Sequence, residues 1–274
     1  MLVLIRGAGD LATGIALRLH RAGMRVVMTD LPKPTAIRRT VAFSQAIVEG
    51  QTTVEGITGR LADQSSVHAV LDRGEIPVLA DPDCTCRAVL RPDALVDAIL
   101  AKRNLGTNRD MAPITVGLGP GFTAGEDVDA VVETMRGHHL GKVICSGSAI
   151  PNTGVPGMIG GFAKERVMHA PASGTMTFVR DAQGRIIDIG AMVEKGQTIA
   201  MVGDTPLLAS LDGVLRGLIR EGFPVTKGLK IADIDPRPEQ VACCDTVSDK
   251  ARAIAGGVLE AMLMLAEERQ IALL

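Results

Sequence analysis

Aromatic side chains are almost missing from this chain: it has no Trp, no Tyr and only 5 Phe in 274 residues. Most of the stacking platforms that single-stranded nucleic acid needs are therefore absent. An excess of either charge is missing too. Lys and Arg number 29 against 31 Asp and Glu, a formal net charge of −2, so nothing steers the chain to nucleic acid or an anionic membrane. No apolar run is long enough to span a bilayer. The opening residues enter a strand at once, without the basic region, apolar stretch and cleavage site of a signal peptide. The expectation is a cytoplasmic protein with no membrane and no nucleic-acid partner. The five cysteines (Cys84, Cys86, Cys145, Cys243 and Cys244) are an odd set without ladder spacing, which fits reduced thiols. What the chain does have is 46% hydrophobic residues, rich in the Ala, Val, Leu and Ile of strands buried on both faces.

The densest information lies between Val3 and Asp30. Leu2 to Ile5 reads as a buried parallel strand. Arg6-Gly7-Ala8-Gly9-Asp10-Leu11-Ala12 follows, then a helical spacing of Leu11, Ile15, Leu19 and Ala22 stopped by Gly23. Met24 to Met28 is a second strand, ending at Asp30. Strand, G-x-G-x-x-A, helix, strand and acid in this order form a dinucleotide-binding fingerprint. The amides of Gly7, Ala8, Gly9, Asp10, Leu11 and Ala12 are expected to hold a pyrophosphate, and Asp30 an adenosine ribose. The expected cofactor is NAD, NADP or another nucleotide-containing ligand. Two residues disturb the pattern. Asp10 brings a carboxylate to where phosphate oxygens belong, and Arg6 brings a cation before the first Gly. The structural alternative is that Asp10 caps the helix and Arg6 neutralises it.

Further along, Thr35 to Val48 is predicted as a helix. Its Arg38 and Arg39 are either a solvated face or partners for the extra phosphate of NADP. Thr52 to Ile57 reads as a short strand, Ser65 and Ser66 as caps of a helix to Arg73, and Ile76 to Ala80 as a strand. Cys84-Thr85-Cys86 could bind a soft metal or react with sulfur or selenium species, but isolated pairs do not make a four-ligand site, and no metal is expected. Pro92 to Leu100 suits a strand or a helix. By position at a strand end, Asp97, Lys102 and Asn104 are site candidates, with surface ion pairing as the plain alternative. Pro113 to Gly117 is a strand running into a second glycine-rich turn, which adds Gly119, Gly121 and Thr123 as ligand-binding candidates; a helix is predicted from Glu126 to Arg136. The turn lacks the Gly-Lys-Ser/Thr ending of a P-loop, so ATP hydrolysis is not indicated. Lys142 to Cys145 closes the domain as a strand, and Gly147 to Gly161 reads as an irregular loop. His138 and His139 are adjacent, so their side chains point apart, and a solvated helix end is the favoured reading.

The last third repeats itself. Gly190, Val193, Lys195, Gly196, Ile199 and Ala200 recur as Gly222, Val225, Lys227, Gly228, Ile231 and Ala232, a constant shift of 222 − 190 = 32. Short strands with Gly at fixed offsets make a small β module of two related halves. It resembles the biotinyl/lipoyl-like barrel-sandwich hybrid. That family presents a carrier Lys at the hairpin between its halves, whereas Gly203-Asp204-Thr205-Pro206-Leu207-Leu208-Ala209 has none. A scaffold or docking role is then expected. A helix capped by Ser248 or Asp249 runs to about Glu268, with Gly256-Gly257 inside it, where close packing or a second subunit would explain two glycines.

The order of motifs resembles the YqeB-type accessory proteins of selenium-dependent molybdenum hydroxylases. The segments that carry it are Arg6 to Gly14, Arg39 to Ser44, Val54-Glu55-Gly56, Asp97-Ala98, Ala101 to Asn104, Gly117 to Asp127, Glu133 to His138 and Pro151 to Gly157. The resemblance implies a role in maturing or supporting a molybdenum hydroxylase, with that enzyme or its cofactor machinery as partner. It supplies no catalytic residue, and homo-oligomerisation stays open. The competing expectation is an NAD(P)-dependent oxidoreductase acting on an unknown small molecule, with Lys102 as default proton donor. The expected architecture is α/β: a Rossmann-like, doubly wound parallel sheet over residues 1–165, a barrel-sandwich module over 166–238 and a C-terminal helix over 239–274.

Overall fold

A computed structural model describes residues 1–154 and 157–272. The chain divides into two compact units. One comprises Met1–Pro34, Val41–Thr153 and Val247–Leu274; the other comprises Thr35–Thr40 and Gly154–Thr246.

The first unit is α/β. Its strands are β1 (Leu2–Arg6), β2 (Arg25–Asp30), β3 (Gln51–Val54), β4 (Ile57–Leu61), β5 (Ile76–Ala80), β6 (Ala94–Asp97), β7 (Ile114–Leu118), β8 (Thr123–Ala124), β9 (Ala130–Val132), β10 (Val143–Ile144) and β11 (Gly147–Ser148). Nine of them form one sheet in the order β10-β9-β7-β6-β1-β2-β5-β4-β3. Pairing is parallel from β4 through to β9, and antiparallel only at the β3 and β10 edges. Strand order reverses direction between β1 and β6. Successive side chains point to opposite faces. Val3, Ile5, Val26, Met28 and Val96 therefore enter one core, and Leu4, Val27 and Leu95 the other.

The helices are α1 (Asp10–Arg21), α2 (Gln45–Glu49), α3 (Val67–Asp72), α4 (Arg87–Leu90) and α5 (Asp249–Glu268). The two long ones share a core with the Val3 face. They meet where a Cβ on Gly14 would stand 2.8 Å from that of Ala251, so glycine is what permits the approach. Ser248 caps α5 by accepting the Ala251 N–H at 3.1 Å. Gly257 lies so close to Gly141 that a Cβ would fall 2.0 Å from its carbonyl oxygen, whereas one on Gly256 would meet nothing within 4 Å. Packing against another element thus explains one of the two glycines.

Two predicted helices are absent. Thr35 to Val48 holds a single 3-10 turn and the start of the short α2: residues 31–38, which include Pro32 and Pro34, form no regular element, and Thr35–Thr40 belong to the second unit. Glu126 to Arg136 is a turn followed by β9: Val131 and Val132 are buried as a strand of the sheet rather than on a helix stripe. The predicted Thr52–Ile57 strand is a hairpin of β3 and β4, turned at Glu55 and Gly56, both with positive φ. The Pro92–Leu100 ambiguity resolves as β6.

The second unit is built of β12 (Val167–His169), β13 (Gly174–Phe178), β14 (Met192–Val193), β15 (Thr198–Val202), β16 (Thr205–Leu208), β17 (Gly213–Leu218), β18 (Pro224–Val225) and β19 (Lys230–Asp235). They form two four-stranded sheets, β12-β19-β17-β14 and β16-β15-β13-β18. The repeat is structural. The Gly190 N–H donates to Leu215 O and the Gly222 N–H to Met176 O, both at 2.8 Å. Gly196 donates to Ala209 O at 2.8 Å and Gly228 to Ala170 O at 2.9 Å. Val193, Ile199 and Ala200 are buried like their counterparts Val225, Ile231 and Ala232.

Candidate functional site

The glycine turn leaves the C-terminal end of β1. Gly7 has φ +104°, and a Cβ there would stand 3.0 Å from the Ala98 carbonyl oxygen, so no other residue fits without displacement. Its N–H donates to Thr29 O at 2.8 Å. Ala8 is buried, and its N–H donates to an Asp30 carboxylate oxygen at 2.7 Å. The other carboxylate oxygen accepts the Leu31 N–H at 2.7 Å. Burial pushes the Asp30 carboxyl above its ordinary range, against the pull of the Leu31 and Ala8 bonds. Gly9 is the N-cap of α1, no side chain caps that end, and a Cβ on Gly9 would meet nothing within 4 Å. Ala12 is buried against the sheet and Leu11 is half-buried. An uncapped helix start with open space over Gly9 can present backbone N–H groups to an anion.

Asp10 is the first residue of α1 rather than its cap, where its charge suits the helix dipole. Arg6 does not neutralise it. The Arg6 side chain is buried and donates to Pro82 O at 3.2 Å, Leu105 O at 3.1 Å and Thr107 Oγ1 at 2.9 Å, with Asp97 at 3.4 Å. Thr107 in turn donates to Asp97 at 2.6 Å. Asp97 is therefore a buried member of a clamp on the segment 98–107. Asn104 stabilises the same segment by accepting the Gly106 and Thr107 N–H groups at 2.9 and 2.8 Å. Lys102 is exposed, on a backbone with φ +61°.

The second glycine turn leaves β7. Gly119 has φ +69°, with space for a Cβ filled by Thr134 Oγ1 at 2.4 Å; Gly121 has φ +111°, with the Arg103 backbone 2.6 Å from that position. The Thr123 N–H donates to Asp127 at 2.8 Å, and its hydroxyl meets Ser148 Oγ at 3.1 Å. The turn is thus packed against Thr134 on one side and the segment 98–107 on the other. The two glycine turns flank the end of β6 and touch the same segment.

Several other candidates lie elsewhere. Arg39 donates to Leu218 O and Asp188 and stacks on Phe178, and Arg38 donates to Cys243 O and Thr246 O; all of these partners belong to the second unit. Cys84 and Cys86 are buried. Burial pushes the Cys84 thiol up to about 11, and that of Cys86 higher still, so neither offers a thiolate at neutral pH. His138 and His139 are exposed and meet edge to face. Among the described residues no three His, Cys, Asp or Glu side chains gather as metal ligands, and no helix is long and apolar enough to cross a membrane. The Pro151–Gly157 motif includes Val155 and Pro156, which lie outside the described residues.

One feature carried no sequence signal. A cavity of about 290 Å³ opens between β9, β10 and the end of α5, lined by Arg109, Asp129, Cys145, Met264 and Arg269 among others. The buried Asp129 accepts from Arg109 at 2.8 Å and from Arg269 at 2.7 and 3.0 Å. These residues stand up to 160 positions apart (269 − 109), so no local pattern announces them.

No family model matches the chain. It is similar to a protein of Escherichia coli (strain K12) named "Uncharacterized protein YqeB", with 54% identity over 265 residues. The match covers 96% of this chain but 48% of the relative, so the chain spans about half the length of the curated relative it matches. The similarity runs over nearly all of this chain.

Proposed function

We propose that the first unit is a Rossmann-like domain that binds an NAD-type dinucleotide at Gly7–Ala12 and Asp30, and that the protein acts as an accessory factor for a molybdenum hydroxylase. The observation that carries the nucleotide reading is the bond from the Ala8 N–H to Asp30. It ties the acid at the end of β2 to the turn after β1, the arrangement that serves an adenosine ribose beside a pyrophosphate. The strand order supports it. β5-β2-β1 and β6-β7-β9 run outward from a reversal at β1 and β6, and ligands of such sheets bind at that reversal, beyond the carboxyl ends of the strands. When bound, the dinucleotide would supply hydride chemistry. The chain itself contributes amides for the phosphates and a carboxylate for the ribose hydroxyls. A carboxylate opposes a 2′-phosphate, so NAD is favoured over NADP.

The accessory role rests on the resemblance of the motif order to YqeB-type accessory proteins and on the β unit. Its duplicated sheets suit a barrel-sandwich hybrid, but the turn at Gly203-Asp204 offers no lysine for a carrier arm. We assign it to docking. Calorimetric titration tests the nucleotide reading: NAD is expected to bind, NADP more weakly, and the D30A variant neither. Absence of heat and of thermal shift with millimolar NAD and NADH would overturn it. Co-purification with a molybdenum hydroxylase tests the docking role, and failure to recover that enzyme, with and without NAD, would overturn that part alone.

A further inference from the structure

We infer that the cavity between β9, β10 and the end of α5 is a binding site for a small aliphatic carboxylate, with Arg109 and Arg269 as its anion receptors. The inference goes beyond the proposed function. Every lining residue belongs to the first unit, and none belongs to the nucleotide site at Gly7–Ala12 and Asp30.

Size and lining set the body of the guest. The cavity measures about 290 Å³. An apolar cavity of about 150 Å³ holds one benzene, so this one has room for about ten non-hydrogen atoms. Ala130, Val143, Ala261, Met264 and Leu265 give it apolar walls. Met264 is exposed, and its flexible side chain can adapt to a guest. Apolar walls with a few converging polar groups are the usual make-up of a small-molecule site.

The polar wall sets the charge. It is built around the buried Asp129. One oxygen of Asp129 accepts from Arg109 Nε and Arg269 Nη2, the other from the Thr115 N–H, the Thr115 hydroxyl and Arg269 Nη1. Both oxygens are filled, so this carboxylate is not offered to a cationic guest. The arginines are not filled in return. A guanidinium carries five N–H donors. Beyond Asp129, Arg109 donates to Gly125 O at 3.1 Å and Arg269 to Pro113 O. Among the described residues Arg109 Nη2 and Arg269 Nε have no hydrogen-bond partner. Arg269 alone reaches both Asp129 oxygens, so Arg109 brings a second cation that the carboxylate does not require. Two guanidinium charges on one enclosed carboxylate leave a net positive wall. Glu268 also lines the cavity, but it is exposed, where water and salt screen it. The matching guest is a monoanion whose planar carboxylate meets a guanidinium fork and whose hydrocarbon body lies on the apolar walls.

The test uses the full chain, sodium octanoate as the probe and Cys145 as the reporter. Cys145 is exposed and lines the cavity; Cys243 is exposed in the second unit and serves as the control. Saturating octanoate is expected to slow alkylation of Cys145 by iodoacetamide severalfold and to leave Cys243 unchanged. Octylamine, of equal length and opposite charge, should bind at least about tenfold more weakly. The R109Q variant should bind octanoate about tenfold more weakly, with a flatter dependence on salt, and octanol as the wild type does. Failure of millimolar octanoate to protect Cys145, or equal protection of Cys243, overturns the inference. So does equal protection by octylamine, or unchanged octanoate affinity in R109Q. Should R109Q misfold, octanoate against octylamine on the wild type decides. None of these outcomes bears on NAD binding, which is titrated separately.

Discussion

An oxygen of the Asp30 carboxylate lies 2.7 Å from the Ala8 backbone nitrogen and accepts its proton. That bond joins the end of one strand to the turn after its neighbour. It also sets up a conflict, because burial raises the Asp30 pKa. A carboxyl whose folded pKa is raised stabilises the fold below its ordinary value of 3.8, and that contribution is lost as pH rises through the folded pKa. At neutral pH the ionised Asp30 therefore costs stability. The D30N variant keeps a side-chain oxygen for one N–H and removes the charge. It is expected to melt higher than wild type at pH 7, with the difference shrinking toward pH 4. Its NAD affinity should fall at least about tenfold, since a charged hydrogen bond to ribose is lost. Equal melting of the two proteins from pH 4 to pH 7 would contradict the assigned cost.

The paired glycines of α5 make opposite predictions. G256A places a methyl in open space and removes a flexible residue from a helix interior, so it should stabilise by about 0.5–1 kcal/mol. G257A gains the same propensity, but its methyl meets Gly141 O at 2.0 Å and Val132 Cγ1 at 2.9 Å. Overpacking of that kind costs about 1–3 kcal/mol or more. Denaturant unfolding of the two variants should move in opposite directions.

How much of this was legible depends on distance along the chain. The first glycine turn, α1 and β2 lie within 30 residues, and local spacing was enough to read them. The repeat of the β unit was equally plain, because identical residues recur at a fixed offset. The segment 126–136 was misread because Val128, Val131 and Val132 fit a helix stripe as well as a buried strand. The pairing of β9 with β7, which no local signal encodes, decides between them. Arg6 misled for the same reason: its partners Asp97 and Thr107 lie 91 and 101 residues away.

Thiol chemistry should follow burial rather than spacing. Cys145 and Cys243 are exposed, whereas Cys84, Cys86 and Cys244 are buried, with thiol pKa values raised chiefly by that burial. Iodoacetamide at pH 7.5 is expected to alkylate the two exposed cysteines in the native protein and all five after unfolding. Peptide mass spectrometry reads the outcome. Rapid native labelling at Cys84 or Cys86 would restore the close pair as a reactive or metal-binding candidate.

The final prediction concerns Asp129, which α5 reaches through Arg269. Burial alone would raise this carboxyl, but bonds from Arg269, Thr115 and Arg109 outweigh it and hold the pKa below the ordinary value. A depressed carboxyl stabilises the fold above its ordinary range, and that contribution disappears as pH falls through the folded pKa. Arg269 also donates to Pro113 O, so it fastens the end of α5 to the start of β7. Removing it leaves a carboxylate that is 3% exposed with fewer partners. Loss of one member of a buried pair costs about 3–5 kcal/mol. Because the Arg269 side chain is 30% exposed and Arg109 stays, R269A should cost less, about 2 kcal/mol. Its acid unfolding should also begin at higher pH than that of wild type. D129N/R269A removes both charges and should recover part of the loss. A double variant no more stable than R269A would show that Arg269 acts through its bond to Pro113 O instead.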